Sequence, residues 1–169
     1  MIECIQDPND QNLDAGLGNW TGDADWEAGP IHGQEGMMKF TLPGFAPNQF
    51  EEISYEDIKI PAEKNLNFYC IAYKEGPGDS AFLDTAIITD GTTTIEKHLS
   101  GTTLPSGWAT AICLFTTPPG WNEENATLSI KLRNPYANEG IIYVDEFSLS
   151  YIEPTPTEFV QHLPIMGVG

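Results

Sequence analysis

Short segments in which apolar and polar residues alternate recur along most of this sequence. Each has the length of a β-strand and is rich in β-branched or aromatic residues, the clearest being "MMKFTL", "ISYEDIKIP", "LNFYCIAY", "FLDTAIIT", "TTTIEKHL", "WATAICLFT", "ATLSIKL" and "IIYVDEFSLSYI". Turn-forming clusters such as "LPGFAPN", "KEGPGDS" and "NPYANEG" separate them. No ten-residue window shows the 3.6-residue apolar period of an amphipathic helix. We therefore predict an all-β fold, an antiparallel β-sandwich of the jelly-roll type.

One turn can be placed from a dipeptide alone. Asp90-Gly91 separates "AIIT" from "TTTIEKHL", and glycine adopts the positive φ that tight hairpin turns require. We expect a β-hairpin at this point.

The last residues differ from the rest of the chain. With 169 residues, one domain is expected, and we assign the sandwich to residues 1–152. Residues 153–169 combine a stiff Pro-Thr spacer with an apolar arm, whose apolar residues are Phe159, Val160, Leu163, Ile165 and Met166. The arm either covers its own domain or lies on a neighbouring subunit or scaffold protein, where it adds a strand or a plug.

The charge of the chain excludes several kinds of partner. Twenty-five acidic residues against seven basic ones give a net charge of -18, which repels nucleic acid and anionic lipid surfaces. Cations and basic protein surfaces are better suited. No apolar run is long enough for a membrane span, and "MIECIQDPND" has no signal-peptide pattern. If Met1 is the natural start, we expect a protein that either stays in the cytoplasm or leaves it without a signal peptide.

Three cysteines, Cys4, Cys70 and Cys113, match no zinc or redox spacing. We interpret them as small core residues. The alternative is a disulfide between Cys70 and Cys113, which requires that their two strands face each other.

Several segments resemble a known family in their order and spacing. "NLDAGLGNWTG" (12–22), "LNFYCIAYKEG", "SGWATAICLFTTPPG" and "GIIYVDEFSLS" are similar to successive segments of the galactose-binding-like β-sandwiches. The resemblance is especially to carbohydrate-binding modules of the cellulose- and xylan-binding jelly-roll type. The resemblance covers roughly residues 10–152, and it implies the fold more strongly than the function.

The resemblance also bears on a carboxylate inside an apolar strand. Asp145 lies in the middle of "IIYVDEFSLS", where a buried charge needs a cation or several hydrogen bonds. The family implies that Asp145 and Asp14 hold a structural Ca²⁺, an ion that takes about six to eight oxygen ligands. The family usually has the longer Glu at the position of Asp14. The alternative is that Asp145 accepts backbone N–H bonds at a β-bulge.

Aromatic residues in polar segments are the candidates for a ligand or partner surface. These are Trp26 in "DADWEAG", Trp121 in "PPGWNEEN" and Tyr136 in "NPYANEG", since sugar rings stack on exposed aromatic side chains. Packing or subunit contact is the alternative for all three. Trp20 and Trp108 match family positions that imply packing.

Catalysis has little support in the sequence. His32, His98 and His162 are far apart, and no nucleophile elbow, zinc-protease motif or phosphate loop is present. We expect a protein that is not an enzyme.

Two functions remain. The first is a structural or interaction subunit of an extracellular or virion assembly, such as a decoration protein of a phage capsid or tail, held to its own copies or to a scaffold by the arm. The alternative is a carbohydrate-binding module of a secreted or surface protein, in which "EPTPT" begins a linker.

Overall fold

A computed structural model describes residues 1–31, 34–43, 50–75, 82–100, 108–134 and 139–153. Within these ranges the chain forms one short helix, α1 (Pro8–Asn12), and the strands β1 (Ile2–Glu3), β2 (Trp20–Gly22), β3 (Asp25–Ile31), β4 (Gln34–Leu42), β5 (Phe50–Ile58), β6 (Asn65–Glu75), β7 (Phe82–Thr89), β8 (Thr94–His98), β9 (Ala109–Thr116), β10 (Ala126–Arg133) and β11 (Gly140–Tyr151).

The strands form two antiparallel sheets. Sheet A has the order β3-β4-β11-β6-β9, with β1 also paired to β11, and sheet B has the order β2-β5-β10-β7-β8. The predicted all-β sandwich is therefore confirmed.

The main core lies between the sheets. In sheet A, β6 and the first half of β11 contribute even-numbered residues such as Phe68 and Val144, and sheet B contributes residues such as Ile53, Leu128 and Ile130. Because successive side chains of a strand point to opposite faces, the odd-numbered residues of β6 and of the first half of β11 lie on the outer face of sheet A. Full burial of a side chain of this size contributes about 1.5–3 kcal/mol.

The predicted hairpin is confirmed. Asp90 and Gly91 follow β7 and precede β8, and Gly91 has a φ of 87°. The Asp90 carboxylate accepts hydrogen bonds from the backbone N–H groups of Thr92, Thr93 and Asn122, at 2.8, 2.6 and 2.9 Å. One side chain thus closes the turn and joins it to the segment before β10.

The N-terminal segment contains a short helix and a buried hydrogen-bond network, neither of which the strand pattern predicts. Asp7 caps α1 by accepting from the Asn9 N–H, and five residues are too few to show a helical period. Asp10, which is fully buried, accepts from the Asn19 backbone N–H and side-chain amide at 2.8 Å each, and from the Tyr55 hydroxyl at 2.6 Å. Burial, followed by the bond to Asp10, raises the pKa of Tyr55 to about 12.

All three cysteines are free. Cys70 on β6 is opposite Ala111, and Cys113 on β9 is opposite Phe68, so the two cysteines are not direct cross-strand partners. Burial raises the pKa of Cys70, and it raises the pKa of Cys113 to about 12. Both thiols therefore remain protonated, as expected for core residues.

The last strand ends at Tyr151. The five apolar residues of the predicted arm, at 159–166, lie outside the described residues, so the assignment of a spacer and an arm stays a prediction. Within the described ranges, no helix is long and apolar enough to cross a membrane.

Candidate functional site

A second apolar cluster lies on the outer face of sheet A. It consists of Met37 on β4, Ile141 and Tyr143 on β11, Tyr69, Ile71 and Tyr73 on β6, and Trp108 just before β9. We call this cluster the tyrosine face. Its strand residues alternate with those of the main core, which places them on the side of the sheet that faces away from sheet B.

The aromatic residues of the tyrosine face form a row across the strands. Tyr143 is opposite Lys39 on one side and Tyr73 on the other, and neighbouring strands are about 4.8 Å apart. The row continues to Trp108, whose ring centroid is 5.5 Å from that of Tyr73 with an interplanar angle of 55°. The result is an aromatic row perpendicular to the strands.

Polar groups border this row. The Tyr143 hydroxyl donates to Glu75 Oε2 at 3.0 Å. Lys39 Nζ is 5.9 Å from the centroid of the Tyr143 ring and 2.7 Å from Glu27 Oε2. Burial, followed by the bond to Glu75, raises the pKa of Tyr143, so the hydroxyl remains a donor. Carboxylate, ammonium and hydroxyl groups thus lie beside aromatic rings.

The rings differ in accessibility. Trp108 and Tyr143 are 2% and 4% exposed, whereas Tyr69 and Tyr73 are half-buried. Tyr69 and Tyr73 are therefore the more accessible aromatic residues of the tyrosine face, and Trp108 packs against Tyr73.

A separate polar cavity of about 410 Å³ lies where β11 bulges. The pairing of β11 with β6 shifts register between Asp145 and Ser148, and Glu146 has a φ of 55°. Asp145 and Asp14 both line this cavity, together with polar side chains of α1. The structure therefore brings the two predicted calcium ligands to one place.

The Asp145 carboxylate is incompletely satisfied. It is 2% exposed, and its Oδ1 atom has no hydrogen-bond partner among the described residues. Burial raises its pKa to about 7, a backbone bond from Glu146 lowers it, and the charges of Glu146 and Asp14 raise it. The bond from Glu146 is the bulge contact that the alternative interpretation proposed, but it leaves Oδ1 free for another partner.

The oxygen atoms that line this cavity supply some, but not all, of the ligands that a hard cation such as Ca²⁺ requires. No group of three or more His, Cys, Asp or Glu side chains with the geometry of a metal site occurs in the described ranges. Two carboxylates would need amide or carbonyl oxygens beside them, which Ca²⁺ accepts readily. The side chains of Gln11 and Asn12 line the same cavity.

The aromatic residues predicted to form a ligand surface have different positions. Trp121 is 4% exposed and belongs to the main core, so its prediction as a surface residue is wrong. Trp26 is 39% exposed, and its Nε1 donates to the Leu13 carbonyl at 2.8 Å, so it fixes the end of α1 while part of its ring faces solvent. Tyr136 lies outside the described residues. Trp20 packs in the main core, as expected.

The residues of the tyrosine face were not identified from the sequence. A signal was present in "LNFYCIAY", because Tyr69, Ile71 and Tyr73 alternate with the core residues Phe68 and Cys70. A strand with large apolar residues at both parities has an apolar side on both faces of its sheet. The sequence instead indicates aromatic residues in loop-like segments, because polar neighbours are typical of exposed positions.

Several solved structures with a similar fold are carbohydrate-binding modules. The module TmCBM61, solved with β-1,4-galactotriose, has a TM-score of 0.57 and 11% identity, and the match covers 90% of this chain and 100% of that one. The xylan-binding domain CBM22-1 from Paenibacillus barcinonensis has a TM-score of 0.56 and 13% identity, with 86% and 94% covered. No protein-family model and no curated protein matches the sequence.

Other similar structures are parts of larger proteins. The enzymatically active domain of tailspike protein 4 of bacteriophage CBA120 has a TM-score of 0.56 and 10% identity, and the match covers 89% of this chain but 22% of that one. The chain thus has the β-sandwich fold of carbohydrate-binding modules, as the resemblance implied. The same fold occurs both in separate carbohydrate-binding modules and within larger enzymes.

Proposed function

We propose that this chain is a non-catalytic carbohydrate-binding module that binds a neutral glycan chain on the tyrosine face. The partly exposed rings of Tyr69 and Tyr73, supported by the buried aromatic residues beside them on the outer face of sheet A, are the observation that carries this proposal. Apolar aromatic side chains on an outward sheet face are costly to hydrate, and they match the apolar faces of sugar rings.

Each part of the tyrosine face has a role in such binding. Tyr69 and Tyr73 offer half-buried rings on which pyranose rings stack. Glu75 and Lys39 supply an acceptor and a donor for sugar hydroxyl groups. Trp108 and Tyr143 are too buried for contact and hold the platform rigid, which lowers the entropy cost of binding.

The charge of the protein restricts the class of glycan. A net charge of -18 disfavours uronic-acid and sulfated chains by long-range repulsion. Among the proteins of similar fold, TmCBM61 was solved with β-1,4-galactotriose, a CBM22-1–GH10 protein was solved with xylohexaose, and TmCBM27 recognises mannan. A neutral β-linked backbone is therefore the class we propose, in an extracellular setting.

Calorimetric titration with galacto-, xylo-, manno- and cello-oligosaccharides tests the proposal. We expect binding of at least one of them, and Tyr73→Ala should weaken it about tenfold or more, because loss of one stacked aromatic ring costs more than about 1.4 kcal/mol. Phe50→Ala is the matched control, since Phe50 is 43% exposed on β5 in the other sheet. An absence of binding to all four series, or equal weakening by both variants, would contradict the proposal.

We also propose that Asp145 and Asp14 hold a structural Ca²⁺ in the cavity at the β11 bulge. The support is the unpartnered Oδ1 of Asp145 and the second carboxylate that lines the same cavity. A cation there would join the N-terminal segment to the last strand and stabilise the folded state by linkage.

Thermal unfolding with and without a chelator tests the calcium site. Chelation should lower the melting temperature, and Asp145→Ala should remove that response. Glu96→Ala, which removes an exposed carboxylate from β8, should retain it. A melting curve that does not change in chelator would exclude a structural calcium ion.

A second candidate function is a structural subunit of an extracellular or virion assembly. Its support is the exposed apolar surface on β9, where Leu114 is 66% exposed, and the phage tailspike among the similar structures. Light scattering on the full chain and on a chain that ends at Ile152 tests it. An oligomer that becomes a monomer on truncation would favour assembly over glycan binding as the main role.

A further inference from the structure

A groove of about 560 Å³ runs along β9, at the edge of sheet A. We call it the β9 groove. Its floor includes Ile112 and Leu114, which are 46% and 66% exposed, and Asn67 and Tyr69 of β6 border it on one side. Exposure of two large aliphatic side chains on one strand is costly unless something covers them.

The chain itself leaves the sandwich beside this groove. Tyr151, at the end of β11, is opposite Leu66 of β6, and Leu66 is opposite Phe115 of β9. Lys64 Nζ is 3.4 Å from Glu153 Oε1, so the exit of the chain is held at this end of the sheet. Two strand spacings, or about 10 Å, separate Tyr151 from β9, and Leu114 is the residue next to Phe115.

The length and pattern of the remaining chain match the groove. Residues 154–158 form a Pro-containing spacer that spans about 15 Å when extended, which is enough to bring Phe159 to Leu114. In an extended segment, residues separated by even numbers share one side. Phe159, Leu163 and Ile165 would then face the same surface.

The charges are complementary as well. Lys97 and His98 border the groove on the side of β8, and Lys97 forms no ion pair within the described ranges. Glu158 directly precedes Phe159 in the sequence. If Phe159 lies on the apolar floor of the β9 groove, the Glu158 carboxylate can therefore pair with the Lys97 ammonium group at the border of the groove.

We infer that the β9 groove is the docking site of residues 159–166 of the same chain. The arm of a second copy has the same chemistry, but a tether of this length gives the chain's own arm an effective concentration in the millimolar range. Docking places the arm beside Tyr69, which also belongs to the tyrosine face, so the arm would border the surface proposed for glycans.

Hydrogen–deuterium exchange on the full chain tests this inference, with the molecular mass measured in parallel. We expect a monomer in which amides of residues 159–166 are protected to the same degree at low and high protein concentration. Leu114→Asp should remove that protection, because it places a carboxylate on the apolar floor. Phe50→Asp changes an exposed apolar residue on sheet B in the same way and should leave the protection unchanged.

Three results would overturn the inference. An unprotected arm in the unaltered chain would mean that the groove does not hold it. Protection that survives Leu114→Asp would place the arm elsewhere on the domain. Protection that rises with protein concentration together with the mass would make the arm of a second copy the occupant. Glycan binding is measured separately, by titration of the native chain and of Tyr73→Ala, so a failure of this inference is distinguishable from a failure of the proposed function.

Discussion

Asp10 and Asp145 are both buried carboxylates, but their surroundings differ. The Asp10 oxygens accept hydrogen bonds from two groups of Asn19 and from the Tyr55 hydroxyl, while Asp145 Oδ1 has no such partner in the described part of the chain. A satisfied carboxylate stabilises a fold, and an unsatisfied one indicates a missing partner. Asp10 is therefore a structural residue and Asp145 a candidate ligand.

Asp10→Asn tests the structural role. The amide nitrogen would meet the Asn19 side-chain amide or the Tyr55 hydroxyl, both of which donate to Asp10 in the native protein. We expect a loss of about 1.5–3 kcal/mol in the free energy of unfolding, measured by urea denaturation. Asp7→Asn is the control, because Asn caps a helix as well as Asp does. Equal stability of the two variants would show that the Asp10 network contributes little.

Sequence analysis could identify only one of these two acids. Asp145 is conspicuous because apolar residues surround it in the sequence. Asp10 lies in "DPNDQN", where a buried acid cannot be distinguished from a solvated one. Its burial depends on contacts with β2 and β5, which are distant in the sequence, and a local pattern cannot show them.

At the scale of elements, alternation predicted the long strands and failed for the short ones. β1 and β2 have two and three residues, which is too few to show a period of two. β3 contains Gly29 and Pro30, residues that usually mark loops, and it is an edge strand of sheet A. Edge strands tolerate proline because one side needs no backbone hydrogen bonds.

The hairpin between β7 and β8 gives a prediction at this scale. In Asp90→Asn, Oδ1 can still accept from Thr92 and Thr93, but the amide nitrogen cannot accept from the Asn122 N–H as Oδ2 does. We expect a lower melting temperature at neutral pH.

The pH dependence follows from the pKa of Asp90. The backbone N–H bonds from Thr93 and Asn122 lower it below its ordinary value of 3.8. The contribution of the carboxylate is therefore complete above that value and is lost as the pH falls below it. Melting curves of the native protein and of Asp90→Asn should converge as the pH approaches 2. A constant difference between them over this range would contradict the assignment.

For the whole molecule, a net charge of -18 has an energetic consequence. Repulsion among the acids opposes the compact state, and salt screens it, since the Debye length falls from about 30 Å at 0.01 M to about 8 Å at 0.15 M. The melting temperature should rise over this range at pH 7. The rise should be smaller near pH 4, where carboxylates begin to be protonated. No response to salt at pH 7 would show that the repulsion is already offset by internal contacts.

The order of the strands in the whole molecule also bears on the choice between an assembly subunit and a glycan-binding module. Composition and the apolar end of the chain favoured an assembly subunit, because the face on which Tyr69, Tyr73 and Tyr143 meet could not be seen before the strands were ordered. That order depends on pairings such as β11 with β4, which are about a hundred residues apart in the sequence. Long-range register is not contained in local alternation.

The pairing of Ile2 with Tyr151 places the entry and the exit of the sandwich side by side. Their Cα atoms are separated by the width of one strand pair, about 5 Å. A surface loop of an unrelated protein could therefore accept residues 2–151 as an insertion without being forced open. A circular permutant that joins these two points with a short linker and opens the chain at Gly91 should keep both sheets intact.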